Sequence, residues 1–185
     1  MPVIICMLRG VNLGGRNMIR MEELKGLCLG LKLKNVETFI QSGNVIFSSE
    51  EKDLEKLCKR IQDAIEKKVG FRPAVILRTA AELRKVIQKN PFAKRDGIDP
   101  SNYLVTFLAA APGKEQIQKT LAIPTGPEEL RIIGREVFIY FINGQGRSDL
   151  SWSKVERALG TSGTGRNWNS VTKMMAIADR LEALG

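Results

Sequence analysis

The chain has 185 residues, of which 43% are apolar and 26% charged, and it carries a net charge of +9 without any histidine. This length fits one domain or two small ones with a sizeable core. The lack of histidine excludes Ser-His and Cys-His catalysis and nearly all zinc and non-haem iron sites, so we expect no cofactor. No apolar run approaches the roughly 18 residues that span a membrane, so we expect no membrane partner.

The three cysteines, Cys6, Cys28 and Cys58, fall at apolar positions of predicted elements and form no CxxC pair. This usage predicts buried, reduced thiols in the cytoplasm. The N-terminal run MPVIICMLRG has no basic start and no small-residue cleavage site, so we interpret it as a first strand, not a signal peptide.

Residues 1–90 have the periodicity of a first βαββαβ subdomain, the ferredoxin-like order. The predicted elements are a strand at Val3–Leu8, a helix through Met21–Leu31, strands at Val36–Ile40 and Val45–Phe47, a helix through Leu54–Ile65, a strand at Ala74–Leu77 and a short helix from Ala80. Ser48 with Glu51, and Thr79 with Glu82, have the spacing of capping boxes for the second and third helices.

Residues 91–101 are rich in turn formers and lack periodicity, which predicts a linker. Residues 102–185 repeat the element order as a second βαββα subdomain with a C-terminal helix. Its predicted elements are a strand at Tyr103–Ala110, a helix at Glu115–Leu121, a hairpin of two strands joined at Gly134-Arg135, a helix at Trp152–Leu159 and a last helix at Val171–Leu184 with Ser170 as N-cap. The predicted fold class is therefore α+β, with two similar ferredoxin-like subdomains.

Two turns of the first half concentrate Gly, Asn, Arg and Gln: LRGVNLGGRN at 8–17 and IQSGNV at 40–45. In this topology the end of the first strand and the turn between the next two lie at the same sheet edge. We therefore expect one polar rim, in which Arg9, Asn12, Gly14, Gly15 and Asn17 approach Gln41, Ser42 and Asn44. Turn geometry alone explains Gly and Asn, but it does not require Arg9 or Gln41.

A third polar stretch, TSGTGRNWN at 161–169, precedes the last helix. One interpretation is a flexible turn in which the glycines form an anion nest, Arg166 adds a bidentate charge and Trp168 stacks on a base. The alternative is a flexible connector in which Trp168 anchors the last helix to the core and Arg166 caps carbonyl groups. Neither GxxxxGK[ST] nor GxGxxG occurs, so a P-loop or a Rossmann dinucleotide site is unsupported.

The segments LRGVNLGGRN, TFIQSGNVIF and TGRNWNSVTKM, in this order, resemble the bacterial family known as domain of unknown function 1697. The family pattern is similar to LRGINVGGKN, YIQSGNVVF and TTRNWNTVTKL, and Arg16 and Ser170 depart from it conservatively. The resemblance covers essentially the whole chain and implies two similar α+β subdomains without an established activity. It singles out as candidate site residues Arg9, Asn12, Gly14, Gly15, Asn17, Gln41, Ser42, Gly43, Asn44, Arg166, Asn167, Trp168 and Thr172.

Three functions compete. The favoured hypothesis is binding of an anionic small molecule or nucleic acid at these loops, although the first strand lacks the aromatics of a sheet-face RNA reader. The second is an enzyme with a hydroxyl nucleophile and a lysine base, drawn from Ser42, Thr164, Thr172, Lys154 and Lys173. The third is a structural module in which buried polar motifs lock the halves together. Exposure discriminates them, because a binding site must be open. The sequence leaves the oligomeric state undetermined.

Overall fold

The computed structural model describes residues 1–184 as an α+β protein with two four-stranded antiparallel sheets, which confirms the predicted fold class. The strands are β1 Val3–Leu8, β2 Lys34–Phe39, β3 Asn44–Ser48, β4 Val75–Thr79, β5 Tyr103–Leu108, β6 Glu129–Ile133, β7 Glu136–Tyr140 and β8 Gly163–Asn167. The helices are α1 Met21–Gly30, α2 Leu54–Val69, α3 Ala80–Gln88, α4 Lys114–Leu121, α5 Trp152–Leu159 and α6 Trp168–Ala183. None of these helices is long and apolar enough to cross a membrane.

The chain divides into two compact units. Unit 1 contains Met1–Lys85 together with the C-terminal residues from Lys173, and unit 2 contains Val86–Thr172. Helix α6 therefore begins in unit 2 and ends in unit 1. The sequence boundaries at 90 and 102 remain predictions.

Unit 1 has the strand order β2-β3-β1-β4, in which every neighbouring pair is antiparallel. All six residues of the central strand β1 are buried, as its continuous apolar run predicts. Because side chains alternate across a strand, Ile4, Cys6 and Leu8 share one face, and they belong to a core that includes Leu24 of α1 and Ile61 of α2. This packing holds the end of β1 and the β2–β3 turn at one edge.

Two helix caps of unit 1 test the sequence expectations. The Thr79 capping box is confirmed, because Thr79 N–H donates to Glu82 Oε2 at 2.8 Å and Glu82 N–H donates to Thr79 Oγ1 at 3.1 Å. The box predicted at Ser48 is wrong, because Ser48 still belongs to β3 and Asp53 caps α2 through the N–H groups of Glu55 and Lys56. A carboxylate nearer the helix satisfies the same orphan donors.

Unit 2 repeats the topology with the order β6-β7-β5-β8. Strand β8 pairs with β5 from Gly163 opposite Leu108 to Asn167 opposite Leu104. The expectation of a flexible turn here is therefore wrong. The sequence Gly-Thr-Gly-Arg-Asn conceals a strand because it has no alternating apolar residues.

Part of the predicted linker belongs to the core of unit 2. Phe92 is buried and meets Tyr103 edge to face, with ring centroids 5.2 Å apart. The Tyr103 hydroxyl donates to Asn90 Oδ1 at 2.7 Å. Burial raises the pKa of this phenol, so it stays a neutral donor. Aromatic packing fixes this end of the segment on β5.

Gly43 and Gly70 provide a matched test of packing at the β2–β3 turn. Their φ angles are +77° and +78°, but a Cβ on Gly43 would lie 2.6 Å from Val11 Cγ2, whereas a Cβ on Gly70 would meet nothing within 4 Å. We expect Gly43→Ala to lower the free energy of unfolding by about 3 kcal/mol, since it adds a clash to the backbone strain. Gly70→Ala should lower it by about 1 kcal/mol. Urea unfolding measures both, and equal losses would contradict the packing argument.

Candidate functional site

The first motif forms a miniature hairpin at the edge of unit 1. Asn12 N–H donates to Asn17 O at 3.1 Å and Arg16 N–H donates to Leu13 O at 2.9 Å. Gly14 and Gly15 make the turn with φ angles of +55° and +74°, which favour glycine. We call residues 12–17 the finger. Its tip, residues 13–16, is exposed.

The Asn12 side chain joins the finger to the β2–β3 turn. Its Nδ2 donates to Ile19 O at 3.0 Å and to Gln41 O at 2.8 Å, and its Oδ1 accepts from Ile19 N–H at 2.8 Å. One primary amide therefore satisfies backbone groups from two segments nearly thirty residues apart. The structure thus brings the two turns together, as the topology predicts. We call residues 9–20 and 40–44 together the rim.

Other polar residues of the rim also hold the backbone. Asn17 Nδ2 donates to Gly10 O at 3.1 Å. Buried Asn44 donates through Nδ2 to Phe39 O at 3.1 Å and to Ser42 Oγ at 2.9 Å. Gly43 O accepts from Leu8 N–H at 2.8 Å. These amides therefore help to build the turns of the rim by holding its backbone.

The rim presents a different set of side chains to solvent. Arg16 and Gln41 are exposed and Arg9 is half-buried. The two segments contain three arginines, the third being Arg20, and no Asp or Glu. Neither Arg16 nor Gln41 makes a side-chain hydrogen bond or ion pair within the described part of the chain. The two segments themselves therefore carry positive charge, which attracts anions.

One of the two carboxylates in the first turn of α1, which follows the finger in the chain, is already engaged. Glu23, in the first turn of α1, accepts from Arg20 N–H at 3.3 Å and pairs with Arg20 Nε at 3.5 Å. These hydrogen bonds from Arg20 lower the pKa of Glu23. The first turn of α1 thus has its own acids and Arg20 is paired, so Arg16 and the finger tip are the parts of the rim that can meet an external anion.

Ile40 is held in an uncommon conformation. Its φ is +51°, a left-handed angle that β-branched residues rarely adopt, and 47% of its surface is exposed. Such strain costs about 1–3 kcal/mol and persists where the surroundings impose it. The next residue, Gln41, is the one whose carbonyl accepts from Asn12. The strained residue therefore adjoins the central hydrogen bond of the rim.

The third motif, around Arg166, makes its described contacts with other residues of unit 2. Arg166 is buried, and its Nη1 donates to Thr164 Oγ1 and to Gly165 O, both at 2.8 Å. Trp168 stacks on Tyr103 with ring centroids 4.8 Å apart and an interplanar angle of 22°. These contacts match the connector interpretation of the sequence, in which Trp168 anchors the helix and Arg166 caps carbonyl groups.

The glycines and polar residues around Arg166 also serve packing and capping. Gly163 and Gly165 lack positive φ, and a Cβ on Gly163 would lie 2.7 Å from Thr106 Cγ2, so the glycines allow close strand packing and the nest interpretation is wrong. Asn167 Oδ1 accepts from Ser170 N–H at 2.8 Å, which makes Asn167 the cap of α6 instead of Ser170. Thr172 Oγ1 donates to Trp168 O at 3.2 Å.

A second buried arginine was not evident from the sequence. Arg78 in β4 is only 1% exposed, and its Nη1 donates to Leu77 O at 3.0 Å. It pairs with Ile5, the third residue of β1, just as Arg166 pairs with Val105, the third residue of β5. In both halves of the sequence, the buried arginine directly precedes the residue that caps a helix, and this repeat could have indicated it. Each unit therefore uses a buried arginine at the same strand position.

The geometry lends the enzyme hypothesis little. Burial raises the pKa of the Cys28 thiol to about 12, so it is not a nucleophile at neutral pH. The Ser42 hydroxyl accepts a hydrogen bond from Asn44 Nδ2, and the Thr172 hydroxyl donates one to Trp168 O. No group of three or more acidic or Cys side chains that fits a metal ion occurs among residues 1–184. A groove of about 620 Å³ lies between α1 and α2, but it contains no motif residue.

Comparison with known proteins places the chain in a family. The family model of a protein of unknown function (DUF1697) matches residues 1–138. The chain belongs to the DUF1697 family. No curated protein matches it. Among solved structures it is similar to the conserved bacterial protein SP0830 from Streptococcus pneumoniae, at 18% identity over 96% of this chain and 98% of that chain, with a TM-score of 0.71. This likeness shows a shared fold alone.

The DUF1697 match includes both rim segments, while the stretch around Arg166 lies beyond residue 138. The rim and the Arg166 motif therefore differ both in their contacts and in their relation to the family model. The rim is the part that combines an exposed charge with a braced backbone, so it is the candidate site.

Asn12→Asp tests the brace. The substitution keeps the acceptor for Ile19 N–H but places a carboxylate against two carbonyl oxygens, so we expect a loss of about 3 kcal/mol in unfolding free energy at neutral pH. Because the carbonyl oxygens disfavour the carboxylate, the pKa of Asp at this position should lie above its unfolded value of about 4 in the folded protein. The loss should therefore shrink as the pH falls from neutral to about 4, where protonation removes the charge and restores a donor. Asn143→Asp is the control, since Asn143 is exposed without a described side-chain bond. The measurement is chemical unfolding of both variants at neutral pH and at about pH 4. Similar small losses for the two variants would contradict a bracing role of Asn12.

Ile40→Gly tests the strain. Glycine adopts a φ of +51° without a steric penalty, so we expect the unfolding free energy to rise by about 1 kcal/mol despite the lost side chain. Ile142→Gly is the control, because Ile142 is similarly exposed, at 44%, without a positive φ. That variant should be destabilised. Thermal and urea unfolding measure both, and a destabilised Ile40→Gly protein would show that the strain is not relieved.

Proposed function

We propose that this protein binds an anionic ligand at the rim of unit 1. The observation that carries the proposal is the finger, whose exposed tip places Gly14 and Gly15 beside Arg16. The N–H groups of the two glycines donate no hydrogen bond within the described residues. Successive exposed N–H groups in turns bind anions, and a guanidinium adds a bidentate, charge-assisted contact.

The brace makes this arrangement suitable for binding. Asn12 joins the two segments of the rim through three hydrogen bonds of 2.8–3.0 Å. A backbone held before the ligand arrives loses less conformational entropy on binding. The asparagines thus position the site, and Arg9, Arg16 and Gln41 supply the contacts. We also propose a cytoplasmic location, because the cysteines are thiols and not disulfides.

A second role is favoured for the motif around Arg166. Its guanidinium is buried on Thr164 and Gly165, and the face of Trp168 already stacks on Tyr103. These contacts support stabilisation of unit 2, with Arg166 and Trp168 acting on the fold instead of the ligand. Of the sequence hypotheses, binding is therefore assigned to the rim and a structural role to the third motif.

The test is a ligand panel on matched arginine variants. Wild type, Arg16→Ala and Arg157→Ala are titrated by calorimetry with nucleotides, sugar phosphates, short RNA and DNA, an acidic polypeptide and sulfate. Arg157 is the control because it is exposed on α5 in unit 2 and makes no described side-chain pair. We expect one anionic class to bind wild type and Arg157→Ala alike, and about tenfold more weakly to Arg16→Ala. Absence of binding, or equal loss in both variants, would contradict the proposal.

Arg166→Ala distinguishes the second role. Removing a buried guanidinium leaves Thr164 Oγ1 and Gly165 O without this donor, so we expect a loss of about 2–3 kcal/mol in stability. Ligand affinity measured well below the melting temperature should be unchanged. A loss of ligand affinity with unaltered stability would instead indicate that Arg166 belongs to the binding site.

A further inference from the structure

Three large aliphatic side chains are exposed on the rim. Leu13, Met18 and Ile40 have 64%, 59% and 47% of their surface in solvent. Each is the chain neighbour of a residue in the Asn12 network: Leu13 follows Asn12, Met18 precedes Ile19, and Ile40 precedes Gln41. Because successive Cα atoms are about 3.8 Å apart, each of the three residues lies one chain step from this network. We call these three exposed aliphatic residues of the rim the apolar patch.

The fold does not explain this patch. A free phosphate or sugar phosphate would need the N–H groups and arginines, but it gains nothing from exposed Leu, Met and Ile. Ile40 is moreover held in a left-handed conformation that Gly or Asn would adopt more easily. Strain at an exposed apolar residue is characteristic of a surface that is maintained for contact with a partner.

Resting on the function proposed above, we propose that the anionic ligand of the rim is an acidic segment of another protein that carries aliphatic side chains. The carboxylates bind at Arg16 and the finger N–H groups, and the aliphatic side chains pack on Leu13, Met18 and Ile40. Interfaces combine an apolar centre with a charged border in this way.

Charge and chemistry on the rim favour this partner over others. Single-stranded nucleic acid is held by aromatic stacking in addition to phosphate contacts, and the exposed large apolar residues of the rim are aliphatic. A second copy of this chain would carry its own charge of +9 toward a basic surface. An acidic segment with aliphatic residues matches both the positive charge and the apolar patch.

The experiment compares four anionic probes, two of them peptides of matched charge, on wild type and three variants. The probes are a peptide of repeating Glu-Leu-Glu-Ala, a peptide of repeating Glu-Ser with the same length and charge, oligouridine RNA, and vesicles containing anionic lipid. The proteins are wild type, Arg16→Ala and Ile40→Gly, with Ile142→Gly as the control for loss of an exposed isoleucine. Ile40→Gly should fold at least as stably as wild type, so lost binding cannot result from unfolding.

We expect wild type and Ile142→Gly to bind the Leu-containing peptide about tenfold more tightly than the Ser-containing one, because side-chain burial adds to the charge contacts. Ile40→Gly should lower the affinity for the Leu-containing peptide to that for the Ser-containing peptide. Arg16→Ala should weaken the binding of both peptides. Equal peptide affinities, no effect of Ile40→Gly, or tighter binding of RNA or vesicles would overturn this inference while leaving the anion site intact. Absence of binding by every probe, or no effect of Arg16→Ala, would overturn the proposed function itself.

Discussion

The rim of unit 1 depends on the side chain of Asn12. Its amide donates to the carbonyls of Ile19 and Gln41 and accepts from Ile19 N–H. An amide is the one neutral side-chain group that supplies both two donors and an acceptor on a short stem, and Asn also tolerates the φ of +55° found here. These bonds link the finger directly to the β2–β3 turn. Binding at the rim therefore depends on a positioning residue that touches no ligand.

The polar motif residues have two kinds of role: some hold the backbone in place, and others are exposed to solvent. Asn12, Asn17 and Asn44 direct their amides to backbone groups, and Gly43 is required by close packing. Arg166 shows the same logic in unit 2, where the guanidinium is buried on its own strand. Arg16, in contrast, remains exposed at a braced tip. Residue type alone does not distinguish these roles, since both arginines stand in glycine-rich segments.

Topology was the part of the structure that the sequence revealed best. The apolar run of β1 and the helical spacings predict two ferredoxin-like units, and this order in turn predicts that the first two motifs meet. Strand β8 could not be recognised, because its pairing with β5 comes from close packing at Gly163 and not from an apolar pattern. The apolar patch was also not evident, because Ile40 reads as the end of an apolar strand, whereas in the structure it has a left-handed φ of +51° and 47% of its surface is exposed. Burial of Arg166 likewise depends on the strand that was missed.

The most direct test of the account is an amide chemical-shift titration of the full chain with the peptide of repeating Glu-Leu-Glu-Ala. If the rim binds the peptide, saturable shifts are expected at Gly14, Gly15, Arg16 and Gln41, and the amides of β8 and α5 should not move. Shifts confined to the α1–α2 groove or to unit 2, or none at all at high peptide concentration, would contradict the assignment of the rim as the binding site.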